Sequence, residues 1–246
     1  MELEMGLTRI LYLFIIIVCG FSIQTVSGFG SAVFSIPLAL MVVNKSAVLP
    51  AFYILSALQS LTIVLSDYQY VNLKLFLRMI GFAIIGVSLA FVINQFSDVS
   101  SIERLIGIYI FLNSALSIYN LVYKTDGMPK PSVIDNIFPV LSGMLQAIFG
   151  IGGPFIAMYM NRQEMDKRQY RANICFYWCF LNPVLIVKLI LSNEMQMEHI
   201  WTTLWLIPAM YIGIMIGKQI IDRISIKQFK LFTNVLLILI SLSIIF

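Results

Sequence analysis

At 246 residues the chain is 60% hydrophobic and only 11% charged, which excludes a soluble globular domain, since so few charges could not cover its surface. The formal net charge of +4 does not indicate nucleic-acid binding, because the basic residues fall in short segments between apolar runs rather than along one stripe. Runs of roughly 18 or more apolar residues recur along the chain and predict an all-α polytopic membrane protein.

The first apolar run covers about 8–43. Its start at 10–18 looks like a signal-peptide core, but Glu2 and Glu4 upstream face only Arg9 and the amino group. The run then continues past any cleavage point, so an uncleaved first transmembrane segment is expected. As one helix its 36 residues would be ~54 Å long, far over a hydrocarbon core of ~30 Å. Gly28-Phe29-Gly30 is the expected break, and Ser31 the expected cap of a new helical piece that runs through Pro37 to Val43. Further spans are expected at about 47–65, 73–93 and 105–122, and the loop-like 124–131, with two prolines and a glycine, divides the halves. A second broken span is expected at about 133–160, interrupted at Gly150-Ile151-Gly152-Gly153-Pro154, followed by spans at about 172–191, 201–217 and 229–246.

The halves echo one another. Gln24-x-x-x-Gly28-x-Gly30 recurs as Gln146-x-x-x-Gly150-x-Gly152, 122 positions on. Gly81, Gly86 and Ala90 align with Pro208, Gly213 and Gly217 at an offset of 127, and Arg104-Leu105 aligns with Lys230-Leu231. The fold expected is therefore a single transmembrane domain over 1–246. It holds about eight transmembrane helices in two homologous four-span repeats (about 8–123 and 133–246), the first helix of each broken at its Gly-rich motif. Phe52-Tyr53 also matches Phe176-Tyr177 at an offset of 124. That alignment brings Leu58-Gln59 opposite Asn182-Pro183, and Pro183 is expected to open its helix near the middle. With each broken segment counted as one crossing, ten Lys and Arg fall on one side and five on the other. The positive-inside rule then puts both termini outside the cytoplasm. Four crossings per half make the repeats parallel, whereas a broken segment that turned back as a re-entrant hairpin would make them inverted.

The breaks are also where chemistry is expected. A helix that restarts inside a membrane presents unpaired N–H groups and a partial positive charge at its first turn. Glycine lets a ligand approach that backbone, and two such N-termini at one cavity would hold an anion without a buried cation. The candidate substrate-binding residues are Gln24, Gly28, Gly30, Ser31, Gln146, Gly150, Gly152, Gly153, Pro154 and Asn182, with the second, better-preserved break expected to hold the anion more closely. Gln24 and Gln146 each precede their break by one helical turn. Thr25 and Ser56 are expected to serve as interhelical glue, worth ~0.6–2 kcal/mol per hydrogen bond. Lys188, the one charge inside a span, is expected to snorkel to the outer interface. Cys19, Cys175 and Cys179 lie in apolar spans with no metal-ligand spacing, and His199 has no metal-ligand company. No Lys-Ser/Thr follows the glycines, so they do not form a phosphate loop. No catalytic residue, metal or cofactor is expected, and the protein is not expected to be an enzyme.

On these motifs the chain resembles the TauE/SafE sulfite-exporter family, also called TSUP. Gly150-Ile151-Gly152-Gly153-Pro154 matches the family's second motif intact, and Pro37 matches its proline beyond the first break. Ser31 and Ala32 stand where further glycines are usual. The resemblance implies a secondary carrier in the cell membrane for small sulfur-containing anions such as sulfite, thiosulfate, taurine or sulfoacetate. The repeated break motif and the missing ATP-binding machinery make alternating access the expected mechanism, and the resemblance adds H+ or Na+ as candidate coupling ion. The lipid bilayer and the anion are the expected partners, and nucleic acid is not. The competing expectation is a non-transporting scaffold or a subunit of a larger membrane complex, which the short loops disfavour.

Overall fold

A computed structural model describes residues 7–43, 45–93, 100–123, 132–149, 152–191, 193, 195 and 197–245. Ten α-helices cover almost all of them: α1 (Leu7–Ser27), α2 (Ser31–Leu40), α3 (Lys45–Asp67), α4 (Leu73–Ile93), α5 (Ser100–Tyr123), α6 (Ile137–Phe149), α7 (Gly153–Asn161), α8 (Lys167–Leu191), α9 (Met197–Arg223) and α10 (Ile226–Ile245). No strand occurs among the described residues. Single 3-10 turns at Tyr68–Tyr70 and Val133–Asn136 precede α4 and α6. Gly150 and the 124–131 segment between the halves lie outside the described residues.

Among the described residues, five helices are long and apolar enough to cross a membrane: α1, α3, α4, α8 and α9. Eight spans were expected. The difference lies partly at the breaks, where α2 has 10 residues, α6 has 13 and α7 has 9, about 15, 20 and 14 Å of helix. None of these three can cross ~30 Å of hydrocarbon alone.

The chain divides into two compact units. One comprises residues 1–69 and 175–223, the other residues 70–174 and 224–246. Each unit therefore draws on both halves of the sequence.

In the first unit α1 ends because Gly28 and Gly30 take φ of 82° and 99°, left-handed backbone that glycine adopts without the Cβ clash of other residues. The chain then turns back. Ser35 Oγ donates to the Ile16 carbonyl at 3.3 Å, and Tyr12 Oη reaches Met41 Sδ at 3.7 Å. α1 and α2 thus form a hairpin, where an interrupted span would have carried residue 41 far beyond residue 12. The hairpin packs on α9 and α3 through Leu13, Ile17, Phe21, Phe52, Leu55, Met210 and Ile214, with Phe21 and Phe52 stacked at 5.9 Å. Gly213 and Gly217 of α9 allow the close approach, since a Cβ at Gly213 would meet the Val18 carbonyl oxygen at 2.8 Å and one at Gly217 would run into Thr25.

The second unit repeats the device. α6 and α7 also double back: Arg162 Nη1 donates to Asp135 Oδ1 at 2.7 Å, joining the end of α7 to the turn before α6. Along one continuous helix those residues would be about 40 Å apart. Asp135 also accepts from the Ser132 amide in a capping box. α6 packs on α4 at glycine contacts, with Gly86 against the Val140 carbonyl and Gly143 against the Ala83 carbonyl. α5 packs on α10, and Tyr170 of α8 meets Phe229 edge-on at 5.1 Å.

Two local expectations are corrected. α8 runs unbroken through Pro183, because a proline inside a helix removes one hydrogen bond and bends the axis without ending it when neighbours hold both sides. Ser31 does not cap α2: it is the first residue of that helix, the N-cap is Gly30, and no side chain caps it.

The glycine contacts predict an asymmetry within α4. A Cβ at Gly81 would meet nothing within 4 Å, whereas one at Gly86 would meet the backbone of α6. Gly86→Ala should lower the thermal midpoint of the purified protein, at a cost of about 1–3 kcal/mol, and Gly81→Ala should leave it unchanged or raised. Equal midpoints for the two variants would contradict this packing.

Candidate functional site

The two hairpin tips carry nearly all of the expected binding residues. In the first unit Gln24 is buried in the last turns of α1 and reaches across the break. Its carbonyl oxygen accepts from the Ser31 hydroxyl, and its amide nitrogen donates to Ser56 Oγ at 3.2 Å. Asn182 of α8 donates to the same Ser56 oxygen at 3.0 Å. Two amide donors use both lone pairs of that hydroxyl, which leaves its O–H as a donor. The break is pinned by Trp178, whose indole N–H donates to the Gly28 carbonyl at 3.0 Å. Ser27 Oγ donates to the carbonyl of Phe29 and accepts its amide at 3.3 Å. Within α2 the first intrahelical bond runs from the Phe34 amide to the Gly30 carbonyl, so helix geometry leaves the preceding first-turn amides without partners inside α2.

The second break uses the same residue type differently. Gln146 Oε1 accepts the Gly152 amide at 2.7 Å, and Ser142 Oγ donates to the Gly152 carbonyl at 2.9 Å. Gly152 is held at both its backbone groups and has no room for a side chain, because a Cβ would run into the Ser142 carbonyl and Gln146 Cβ. Pro154 sits in the first turn of α7, as a residue without an N–H should. Residues 153–160 of α7 are all buried.

Of the expected site residues, Gln24, Gly28, Gly30, Ser31 and Asn182 therefore gather in one network in the first unit. Gln146, Gly152, Gly153 and Pro154 gather at the break of the second. No full charge joins either group among the described contacts; the buried Asp67, Asp135 and Arg171 lie at helix ends. Both sites consist of neutral donors and helix amides, chemistry suited to an oxyanion. Lys188 is half-buried in the last turn of α8.

Sequence reasoning missed three contributors. Ser56 reads as glue in isolation, yet it takes two amide donors at the break. Ser142 lies one turn before Gln146, a spacing that could have suggested it. For Trp178 the available signal was that a buried indole N–H needs an acceptor, but nothing in the sequence points to Gly28.

A family model for the sulfite exporter TauE/SafE family matches residues 12–244. The chain belongs to this family. Membership makes it a multi-pass membrane protein of a family that in general exports sulfite and related sulfur anions. No curated protein and no solved structure shows a significant match to the chain.

The bracing contacts should be measurable. Gln146→Leu strands the buried Gly152 N–H, and Trp178→Phe strands the Gly28 carbonyl. Each should cost about 1–3 kcal/mol, seen as a lower unfolding midpoint in detergent. A midpoint equal to that of the unchanged protein in both variants would mean that other groups satisfy the break.

Proposed function

We propose that the protein is a secondary carrier for a small sulfur oxyanion or sulfonate, which binds at the hairpin tips and moves by alternating access. The observation that carries this reading is the pair of re-entrant hairpins. Each is closed by a glutamine that reaches across its own break to a group at the start of the next helix, and the contacts there are between uncharged groups. In a lipid environment, irregular backbone of this kind persists only where protein surrounds it or water lines it.

The contacts support a duplicated, inverted unit. In the first unit Gly213 meets the Val18 carbonyl, and in the second Gly86 meets the Val140 carbonyl. Val18 and Val140 are 122 positions apart, the separation of the two glutamines, and Gly86 and Gly213 are 127 apart, the separation of the glycine motifs. The same helix contact is thus made twice with the halves exchanged. A hairpin returns the chain to the face it left, so each half crosses three more times and ends on the opposite face. The second half then runs inverted. This favours the inverted arrangement over the parallel one that counting each broken segment as a crossing would give.

The hairpins also redistribute the charges. Twelve of the sixteen Lys and Arg residues now fall on the face shared by residues 66–78, 124–130, 162–171 and 218–230, against Arg9, Lys45, Arg104 and Lys188 on the other. That contrast is sharper than ten against five, and by the positive-inside rule it makes the first face cytoplasmic, with both termini outside. Contacts within each unit agree: Lys218 donates to Ser66, Lys167 to the Ile224 carbonyl and Arg168 to Tyr70. A proton or sodium gradient is the expected energy source. Among the described residues no carboxylate lies at either break, so a co-transported proton would travel on the anion itself.

Two experiments test the reading. Proteoliposomes loaded with unlabelled anion should show counterflow of labelled sulfite, thiosulfate or taurine, and failure of all three overturns the substrate class. With the native cysteines replaced, a cysteine at Lys124 should resist an impermeant maleimide added outside cells, while one near the N-terminus reacts. Labelling of the Lys124 position from outside would restore the parallel topology.

A further inference from the structure

The first unit holds a buried polar atom that the hairpin does not use. Gln59 of α3 is completely buried. Its amide nitrogen donates to the Phe21 carbonyl and to Thr25 Oγ1, both at 2.7 Å. A backbone carbonyl can only accept, so the group facing Phe21 must be the NH2, and this settles which end of the amide points where. The carbonyl oxygen is the end left over. Among the described residues nothing donates to Gln59 Oε1, and the hydroxyl of the adjacent, fully buried Ser60 also has no partner.

A buried amide oxygen without a donor loses its hydration with nothing in return, and lipid offers no water to relieve it. Its surroundings suggest what relieves it. Gln59 lies one helical turn along α3 from Ser56, the hydroxyl that collects Gln24 and Asn182. Its partner Thr25 is the residue next to Gln24. An acceptor that lacks a donor therefore adjoins a group of donors at the end of the same hairpin.

Building on the anion-carrier reading, we propose that Gln59 reads the ligand. Its amide oxygen accepts a hydrogen bond from an N–H or O–H on the bound anion, while Ser56 and the amides face the oxyanion. The first unit thereby selects oxyanions that carry a donor, such as an aminosulfonate or hydrogen sulfite, over donorless ones of the same size. Gln59 is a specificity residue, and Thr25 with the Phe21 carbonyl holds its amide in the reading orientation.

The test compares two sulfonates that differ only at the donor. Taurine carries an ammonium where 1-propanesulfonate carries a methyl group. By equilibrium binding to the purified, detergent-solubilised protein, taurine should bind about 10- to 100-fold tighter, the ratio expected for one hydrogen bond to a charged donor. Gln59→Leu should bring the two affinities within about twofold by weakening taurine and leaving 1-propanesulfonate unchanged. Gln59→Met, similar in volume and more flexible, carries the same test should the leucine variant fail to fold. Equal affinities in the unsubstituted protein overturn the proposal, since a water molecule rather than the ligand would then serve Gln59. A taurine preference that survives the Gln59 substitution overturns it as well. In both cases a sulfonate has bound, so the carrier reading stands. Binding of neither sulfonate, nor of sulfite, overturns the carrier reading and this proposal together.

Discussion

The constraint on which this structure turns is that a helix cannot stop inside a bilayer without new partners for its freed backbone groups, each of which costs several kcal/mol if left in hydrocarbon. At the first break the Gly28 carbonyl goes to Trp178, and Phe29 goes to Ser27. At the second, Gly152 gives its amide to Gln146 and its carbonyl to Ser142. These requirements reach well beyond the glycines. Trp178 is useful only if α8 lies beside the first hairpin, and Gln24 can turn back only if Ser31 and Ser56 receive it. Helix packing, loop reversal and the candidate site are consequences of one accounting of hydrogen bonds.

That dependence explains the interleaving of the halves. The broken helix of each half, α1 or α6, needs a partner surface that lets backbones approach closely, and small residues supply it. Gly213 and Gly217 of α9 do so for α1, and Gly86 of α4, with Gly143 of α6 itself, does so in the other unit. In both cases the glycine helix comes from the opposite half of the sequence. The first hairpin is accordingly finished by residues some 150 positions away, with Trp178 and Asn182 meeting Gly28 and Ser56. The first half alone would leave the Gly28 carbonyl without the Trp178 indole, whereas the second break is held within its own half by Gln146 and Ser142.

Much of this was legible in the sequence, and the limits have physical causes. The two breaks, the paired glutamines and the packing glycines follow from backbone freedom, helical spacing and repeat offset. The direction after each break does not. A glycine pair with positive φ says that a helix ends, and a mainly apolar run of 36 residues exceeds one crossing whether the excess continues or turns back. The reversal is decided by contacts such as Ser35 with Ile16 and Arg162 with Asp135, which no local pattern encodes. Ser31 shows the same limit at one residue. Its type and position suit a cap, yet Gln24 one hairpin arm away competes for its hydroxyl.

The two breaks share a motif but are not built to the same end. The second, with its glycines intact, reads from sequence as the more open approach to backbone. In the folded chain Gly152 is held at both backbone groups and walled by Ser142 and Gln146, so its glycine serves close packing as much as access. The first has serine and alanine where the family usually keeps glycines. What it has lost in bare backbone it has gained in side chains: the Ser31 hydroxyl engages Gln24, Ser56 collects two amides, and Gln59 holds an acceptor in reserve one turn away. A ligand at a glycine-only break can be recognised by charge and little else, because helix amides are alike. One at the first break can also be recognised by where its own donors and acceptors lie. Under the proposed anion-carrier function, the second hairpin is the rigid counterpart and the first is the one that distinguishes among anions.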